Sequence, residues 1–288
     1  MPSLKAARAA FPLCHRVAKA SLSFSHLPNR SLLDAITKLI EPHFQDRPKR
    51  VSQPVGDDHN KVFMKVQRVK TLPKRLRVTL GRPKRSGRFD WPLEELMNTL
   101  IAAERGMKTA QVVGFGMVKP RFGIVREFVL LTEYLDGHVN GLQWLRKHPQ
   151  RTAEFISGCM NLLMDMHSRN LIHLDLWVAN IMVPEAADDA MRVIDMENVF
   201  TYPSRFHAQT LGLQLGFLYR KELSQFIDEA SYDALVAGFL QQRPEVDAAT
   251  FEPIYRVCKH MALSHKTRRR IFLEGELDIT PAQPSARA

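Results

Sequence analysis

With 288 residues, 45% of them hydrophobic and 25% charged, the chain has material for a sizeable core in one large domain or two lobes. No run of about 18 apolar residues occurs, so no membrane-spanning helix is expected. Cys14, Cys159 and Cys258 are far apart and odd in number, which excludes a disulfide framework or zinc spacing and favours a reducing, cytoplasmic setting.

Charge is the unusual feature: 41 Lys and Arg against 30 Asp and Glu leave a net +11. From Lys61 to Arg88 there are eleven Lys or Arg and no acid. A field of that sign draws anionic partners such as nucleotide, phospholipid or phosphorylated glycan. Nucleic acid is not expected, because aromatic residues are sparse in that stretch, with Phe63 and Phe89 the nearest. Residues 1–33 carry five Lys or Arg and no acid. They lack the compact apolar core of a secretory signal and read as a transit peptide or as a flexible or interfacial basic arm.

In chain order, apolar spacing predicts a helix over residues 31–41 with Ser31 as its cap, and the polar, Pro-containing stretch 42–60 predicts turns. Lys61 to Val69 alternates as a strand. Thr71 to Gly87, broken by Pro73, Gly81, Pro83 and Gly87, predicts a basic loop. Asp90 and Pro92 open a helix that Gly106 closes. Strands follow at 110–117 and 126–134, then helix after Asp136-Gly137, with a strong helix over 152–168. From Leu171 the chain reads as loop and short strand, and helices return over 207–241 and 249–263. Strands first and helices later describe an α+β chain with a small β-rich lobe and a larger helical one, and a cleft between such lobes is a natural ligand site.

The chemistry concentrates in His173-Leu174-Asp175-Leu176-Trp177-Val178-Ala179-Asn180, followed by Val193-Ile194-Asp195. Phosphoryl transfer needs a carboxylate to orient and accept the proton of the attacking hydroxyl, hard oxygen ligands for Mg²⁺, and a cation on the phosphate tail. Asp175 suits the first task; Asn180 and Asp195 suit the second. Ile181 to Val183 is expected to pair with Arg192 to Ile194, which returns Asp195 to Asn180. The bland alternative is that Asp175 and Asn180 merely cap turns and that Asp195 ends a strand.

On these residues the chain resembles the protein-kinase-like superfamily, with its H-x-D-x-x-x-x-N loop and later metal-binding Asp. That resemblance implies a two-lobed fold, loop support from His173, and a strand Lys holding the α- and β-phosphates. Val62-Phe63-Met64-Lys65 fits the strand, and the partner of Lys65 is Glu94 or, by counting back from Gly106, Glu95. Leu130 to Leu135 resembles the passage between lobes, where the backbone of Glu133, Tyr134 and Leu135 would bind adenine. Departures are clear: no G-x-G-x-x-G occurs, the phosphate loop would be Val55-Gly56-Asp57-Asp58-His59-Asn60, Asp195-Met196-Glu197 replaces D-F-G, and no A-P-E follows.

Across residues 61–198 the chain is more similar to the lipopolysaccharide core kinases that phosphorylate Kdo or heptose. They share the strand Lys, the helix Glu, the "LLTEYL" passage and the "HxDLxxxNI…ID" block. This likeness implies ATP and Mg²⁺ as cofactors, a sugar hydroxyl of the lipopolysaccharide inner core as acceptor, and peripheral contact with the anionic inner face of the bacterial inner membrane. The implied plan is a basic arm and helix over residues 1–48, an N-lobe over 49–136 and a C-lobe over 137–288. The rivals are a protein Ser/Thr/Tyr kinase or small-molecule kinase of the same fold, and a pseudokinase binding module. The last is disfavoured because Lys65, Asp175 and Asp195 are all present.

Overall fold

The structure is a computed structural model that describes residues 3–17, 20–46, 50–57, 60–119, 123–186 and 189–277, apart from the side chains of 41–46 and 50. It divides into two compact units, Met1–Val139 with Met182–Asn198, and Asn140–Ile181 with Val199–Ala288.

The first unit opens with α1 (Leu4–Ala10), whose Ser3 Oγ accepts the Ala6 N–H at 3.1 Å. A hairpin of β1 (Leu13–Val17) and β2 (Ala20–Phe24) follows, then α2 (Arg30–Asp46), β3 (Arg50–Val55) and β4 (Val62–Arg68). After these come α3 (Leu72–Leu80), α4 (Trp91–Glu104), β5 (Val112–Val118) and β6 (Glu127–Glu133). The six strands make one antiparallel sheet in the order β1-β2-β5-β6-β4-β3. Alternation along each strand divides the core in two. Leu22, Phe24, Met64, Val66, Val129 and Leu131 face Ile36 and Ile40 of α2. Phe115, Met117, Phe128 and Leu130 face Leu93, Leu96 and Met97 of α4.

Several expectations change here. The basic arm over 1–48 is not separate, because its hairpin supplies two strands of the sheet; the expected 48/49 boundary itself lies outside the described residues. The cap of α2 is Asn29, whose Oδ1 accepts the Leu32 N–H at 2.8 Å, while Ser31 Oγ donates to Asp57. The expected turns over 42–60 contain the end of α2 and the strand β3. Pro54 is tolerated in β3 because the strand lies at the sheet edge, where one side needs no N–H donor. The expected basic loop over 71–87 contains α3. Pro73 sits in its first turn, where a missing N–H costs nothing, and Gly81 caps it in the left-handed conformation at φ 62°. A side chain at Gly81 would also run into Leu4.

Beyond β6 the chain forms β7 (His138–Asn140), α5 (Gly141–Lys147), α6 (Thr152–Ser168), β8 (Ile172–His173), β9 (Ile181–Pro184), β10 (Arg192–Val193) and β11 (Val199–Phe200). Among the described residues four helices follow: α7 (His207–Arg220), α8 (Glu229–Gln241), α9 (Ala248–His260) and α10 (His265–Glu274). β9 pairs with β10, as expected, in a three-stranded sheet of order β10-β9-β7, and β8 pairs with β11. In the second unit α7 and α9 approach closely through Gly212 and Gly216, where a Cβ would meet Phe251 O and the Cys258 side chain. Ile172, Leu174, Leu213, Ile254, Ile271 and Phe272 form a core beneath β8 and the loop that follows it. A small antiparallel sheet followed by a mostly helical part is the α+β arrangement the sequence predicts.

Candidate active site

In the first unit the strand period decides where Lys65 goes. Its neighbours Met64 and Val66 face α2, so Lys65 faces α4, where Glu94 and Glu95 are buried. Lys65 Nζ forms an ion pair with Glu95 Oε1 and a second with Asp195 Oδ1 at 3.1 Å. The Lys65 side chain is only 14% exposed. Burial alone would lower its pKa, but the two carboxylates outweigh burial and hold it above the usual value, so it is cationic. Glu94 is engaged differently, with Arg88.

Asp195 is carried by a segment fastened at several points. Thr109 Oγ1 donates to Val193 O at 2.7 Å, and the Val193 N–H donates to Lys108 O. Asn98 Nδ2, buried on α4, donates to Met196 O at 2.8 Å. Asp195 itself has φ 65°, a conformation few non-glycine residues adopt. With Glu95 and Glu197 it forms a carboxylate group whose oxygens lie within 4.8 Å of one another. Hard carboxylate oxygens of this kind suit a divalent cation such as Mg²⁺, with Glu95 and Asp195 also engaged by Lys65.

At the end of β6 the Glu133 N–H is already given to Gln111 O at 2.7 Å, and the Tyr134 and Leu135 carbonyls accept from Asp136 and His138. Arg192 Nη1 lies 3.6 Å from the Glu133 carboxylate. The β3–β4 turn holds Gly56 at φ 116°, where any Cβ would strike Asn60 O. Asp58 and His59 of the expected phosphate loop lie outside the described residues.

In the second unit the loop after β8 carries Asp175 and Asn180. His173 is fully buried. Its carbonyl accepts from Gln214 Nε2 on α7 at 3.0 Å, and its Nδ1 accepts the Asp175 N–H at 3.1 Å. It therefore shapes the loop. Gln214 Oε1 accepts from His167 Nε2, and burial pushes the His167 pKa down to about 4, so that imidazole is a neutral strut. Asn180 Nδ2 donates to Asp175 O at 3.0 Å, which closes the turn and leaves the Asn180 Oδ1 outside that bond.

Asp175 has a partner that sequence spacing does not reveal. Arg268 of α10 donates through Nη1 to Asp175 Oδ1 and to Leu174 O, both at 2.7 Å. Arg268 is buried, and its guanidinium lies over the Phe217 ring. Burial of Asp175 disfavours its charge, but Arg268, with smaller help from His173 and Lys221, holds the carboxyl below the usual carboxylate range. A cavity of about 380 Å³ adjoins Asp175, lined also by Arg220, Lys221, Ser224 and His265. Lys221 Nζ sits 3.8 Å from the centre of the Trp177 ring, and among the described residues neither Arg220 nor Lys221 has a carboxylate within 4.0 Å. Glu222 lines the same cavity, its Oε2 accepting from Gln225.

The structure thus brings together Lys65, Glu95 and Asp195 within one unit, and Asp175 and Asn180 within the other. Sequence reasoning missed Glu197, Asn98, Arg220, Lys221 and Arg268. For Arg268 the available signal was Ser264, which caps α10 by accepting the Thr267 N–H.

No curated protein matches the chain. A solved structure described as "WaaP in complex with acyl carrier protein" is similar at 19% identity, over 73% of this chain and 84% of that one, with a TM-score of 0.49. Residues 52–238 match the model of the lipopolysaccharide kinase (Kdo/WaaP) family. That match takes in Lys65, Glu95, Asp175, Asn180 and Asp195, and the chain belongs to that family of ATP-dependent kinases.

Proposed function

We propose that the chain transfers the γ-phosphoryl group of ATP to a sugar hydroxyl of the lipopolysaccharide inner core. The observation that carries this reading is the double ion pair of Lys65 with Glu95 and Asp195. A buried lysine held cationic between two carboxylates is a prepared phosphate ligand, since Glu95 can keep it in place while nucleotide competes for its remaining donors. Asp195, with Glu197 beside it, would hold Mg²⁺, and Asn180 would offer its Oδ1 to an ion of the same kind. When bound, the ion neutralises charge on the phosphates. The adenine edge would meet the backbone from Glu133 to Leu135. Because the Glu133 N–H is committed to Gln111, the Glu133 carbonyl and the Leu135 N–H are the groups for that task.

Asp175 is the proposed base. As the acceptor oxygen bonds to the γ-phosphorus and the bond to the ADP oxygen breaks, the hydroxyl proton passes to the Asp175 carboxylate. Arg268 occupies Oδ1, so Oδ2 is the oxygen left for the acceptor. The cavity beside it, with Arg220 and Lys221, suits an acceptor that carries carboxylate or phosphate next to the reacting hydroxyl. Among the described residues no helix is long and apolar enough to cross a membrane, and we place the enzyme peripherally on the inner face of the bacterial inner membrane.

The test is transfer of label from γ-labelled ATP to purified core lipopolysaccharide, a generic protein and water. Label should enter the lipopolysaccharide. Asp175→Asn should reduce that transfer by about 10²–10⁴-fold with ATP affinity nearly intact. Full transfer by Asp175→Asn would remove Asp175 from the chemistry, and label entering protein instead would overturn the acceptor.

A further inference from the structure

The helix α3 exposes three leucines in a row. Leu72, Leu76 and Leu80 are 57%, 42% and 59% exposed. Spaced four residues apart, they form one stripe along the helix. The opposite side is bolted down: Val78 is fully buried, Arg75 Nε donates to Val125 O at 3.0 Å, and the Thr79 hydroxyl accepts the Val125 N–H at 2.8 Å. Arg77 holds Asp90 through two hydrogen bonds at 2.6 and 3.1 Å. The stripe is therefore presented on a fixed element, and folding of the unit gives no reason for it.

Charge narrows what can cover it. Arg68, Lys70, Lys74, Arg82 and Arg85 are exposed just before, within and after the helix, and no acid occurs between Lys61 and Arg88. A second copy of the same face would bring like charges together. An anionic bilayer offers both an apolar interior for leucine and a negative surface for the cations. Nine residues of helix span roughly 13 Å, which suits lying in the interface and not crossing it.

We infer that the Leu72–Leu76–Leu80 face of α3 is a membrane-docking surface that sets its leucines among the headgroups of an anionic bilayer. The inference deepens the proposed function, resting on the reading that the acceptor is a membrane glycolipid. Docking there would confine the enzyme to the surface on which that acceptor is presented.

Flotation of the full chain with vesicles of phosphatidylcholine, with and without phosphatidylglycerol, tests it without ATP or acceptor. The parent should float with the anionic vesicles only, and less as salt rises. The combined variant Leu72→Ser, Leu76→Ser, Leu80→Ser should lose at least ~10-fold in partitioning, with an unchanged melting temperature and unchanged transfer to a delipidated sugar acceptor. Undiminished flotation of the variant overturns the inference, as does a parent that does not float. A parent dimer that the variant breaks, or a soluble acidic protein binding in place of vesicles, also overturns it. Failure of the parent to phosphorylate the delipidated acceptor would count against the kinase reading and leave the flotation result standing on its own.

Discussion

Asp175 gives its Oδ1 to Arg268 at 2.7 Å, and that contact fixes both where the carboxylate points and how basic it is. The guanidinium opposes the effect of burial and holds the carboxyl below the usual carboxylate range, so Asp175 is charged at neutral pH and, in the proposed reaction, would act by orienting the hydroxyl more than by strong basicity. In Arg268→Gln the burial of Asp175 is no longer opposed and its carboxyl pKa rises. The folded enzyme then needs a higher pH to keep Asp175 ionised. The acid limb of kcat/KM should move to higher pH, and kcat should fall. Arg268→Lys keeps the charge and should leave the limb close to its parental position. A pH–rate profile separates this from mere loss of packing: a lower kcat with an unmoved acid limb in Arg268→Gln would mean that Arg268 supports the loop without tuning Asp175.

At the scale of elements, the loop that carries Asp175 and Asn180 depends on how α5 begins. A Cβ at Gly141 would run into Val178 O and the Phe155 ring. Gly141→Ala should therefore displace the turn over Val178–Asn180, cost about 1–3 kcal/mol as overpacking does, and lower kcat with little change in nucleotide affinity. Thermal melting and steady-state kinetics on one preparation check both halves. Parental values in each would mean that the turn gives way freely. The elements also differ in how far the sequence discloses them. Asp175, Asn180 and Asp195 are legible because they form a pattern of short local spacings, and Lys65 and Glu95 because strand and helix periods aim them at each other. Arg268 is not, since it lies 93 residues from Asp175, on a helix whose polar run masks its two core positions, Ile271 and Phe272. α3 was hidden by Pro73 and β3 by Pro54, each a breaker in mid-element but harmless in a first turn or on an edge. Glu197 was visible only as a departure from a tripeptide, and its nearness to Asp195 and Glu95 comes from the turn at φ 65°.

Over the whole chain the net charge of +11 is not a uniform coat, and the structure sorts the cations by task. Arg77 is committed to the buried Asp90 and Arg88 to the buried Glu94, so these two, expected from the sequence to meet an anionic partner, are used to hold α4 in place. Lys84 also lies 3.7 Å from the Asp90 carboxylate, whereas Arg68, Lys70 and Lys74 line a cavity of about 340 Å³, and Arg82 and Arg85 are exposed beyond it. Charges of the second kind act at a distance and are screened, with a Debye length of about 8 Å at physiological salt and about 3 Å at 1 M; those of the first kind act at contact and are screened far less. The two sets should therefore separate under mutation. Reversing Lys74, Arg82 and Arg85 to Glu should raise the apparent KM for the lipopolysaccharide acceptor several-fold and flatten its rise with added salt, while the melting temperature and KM for ATP stay close to parental. Reversing Arg77 or Arg88 should instead lower the melting temperature by stranding a buried carboxylate, and should leave the salt slope nearly as it was. A titration of salt against acceptor KM for the two sets decides the matter: equal slopes in parent and triple variant would show that the basic surface plays no part in drawing the acceptor, and the attraction would then have to come from Arg220 and Lys221 beside Asp175.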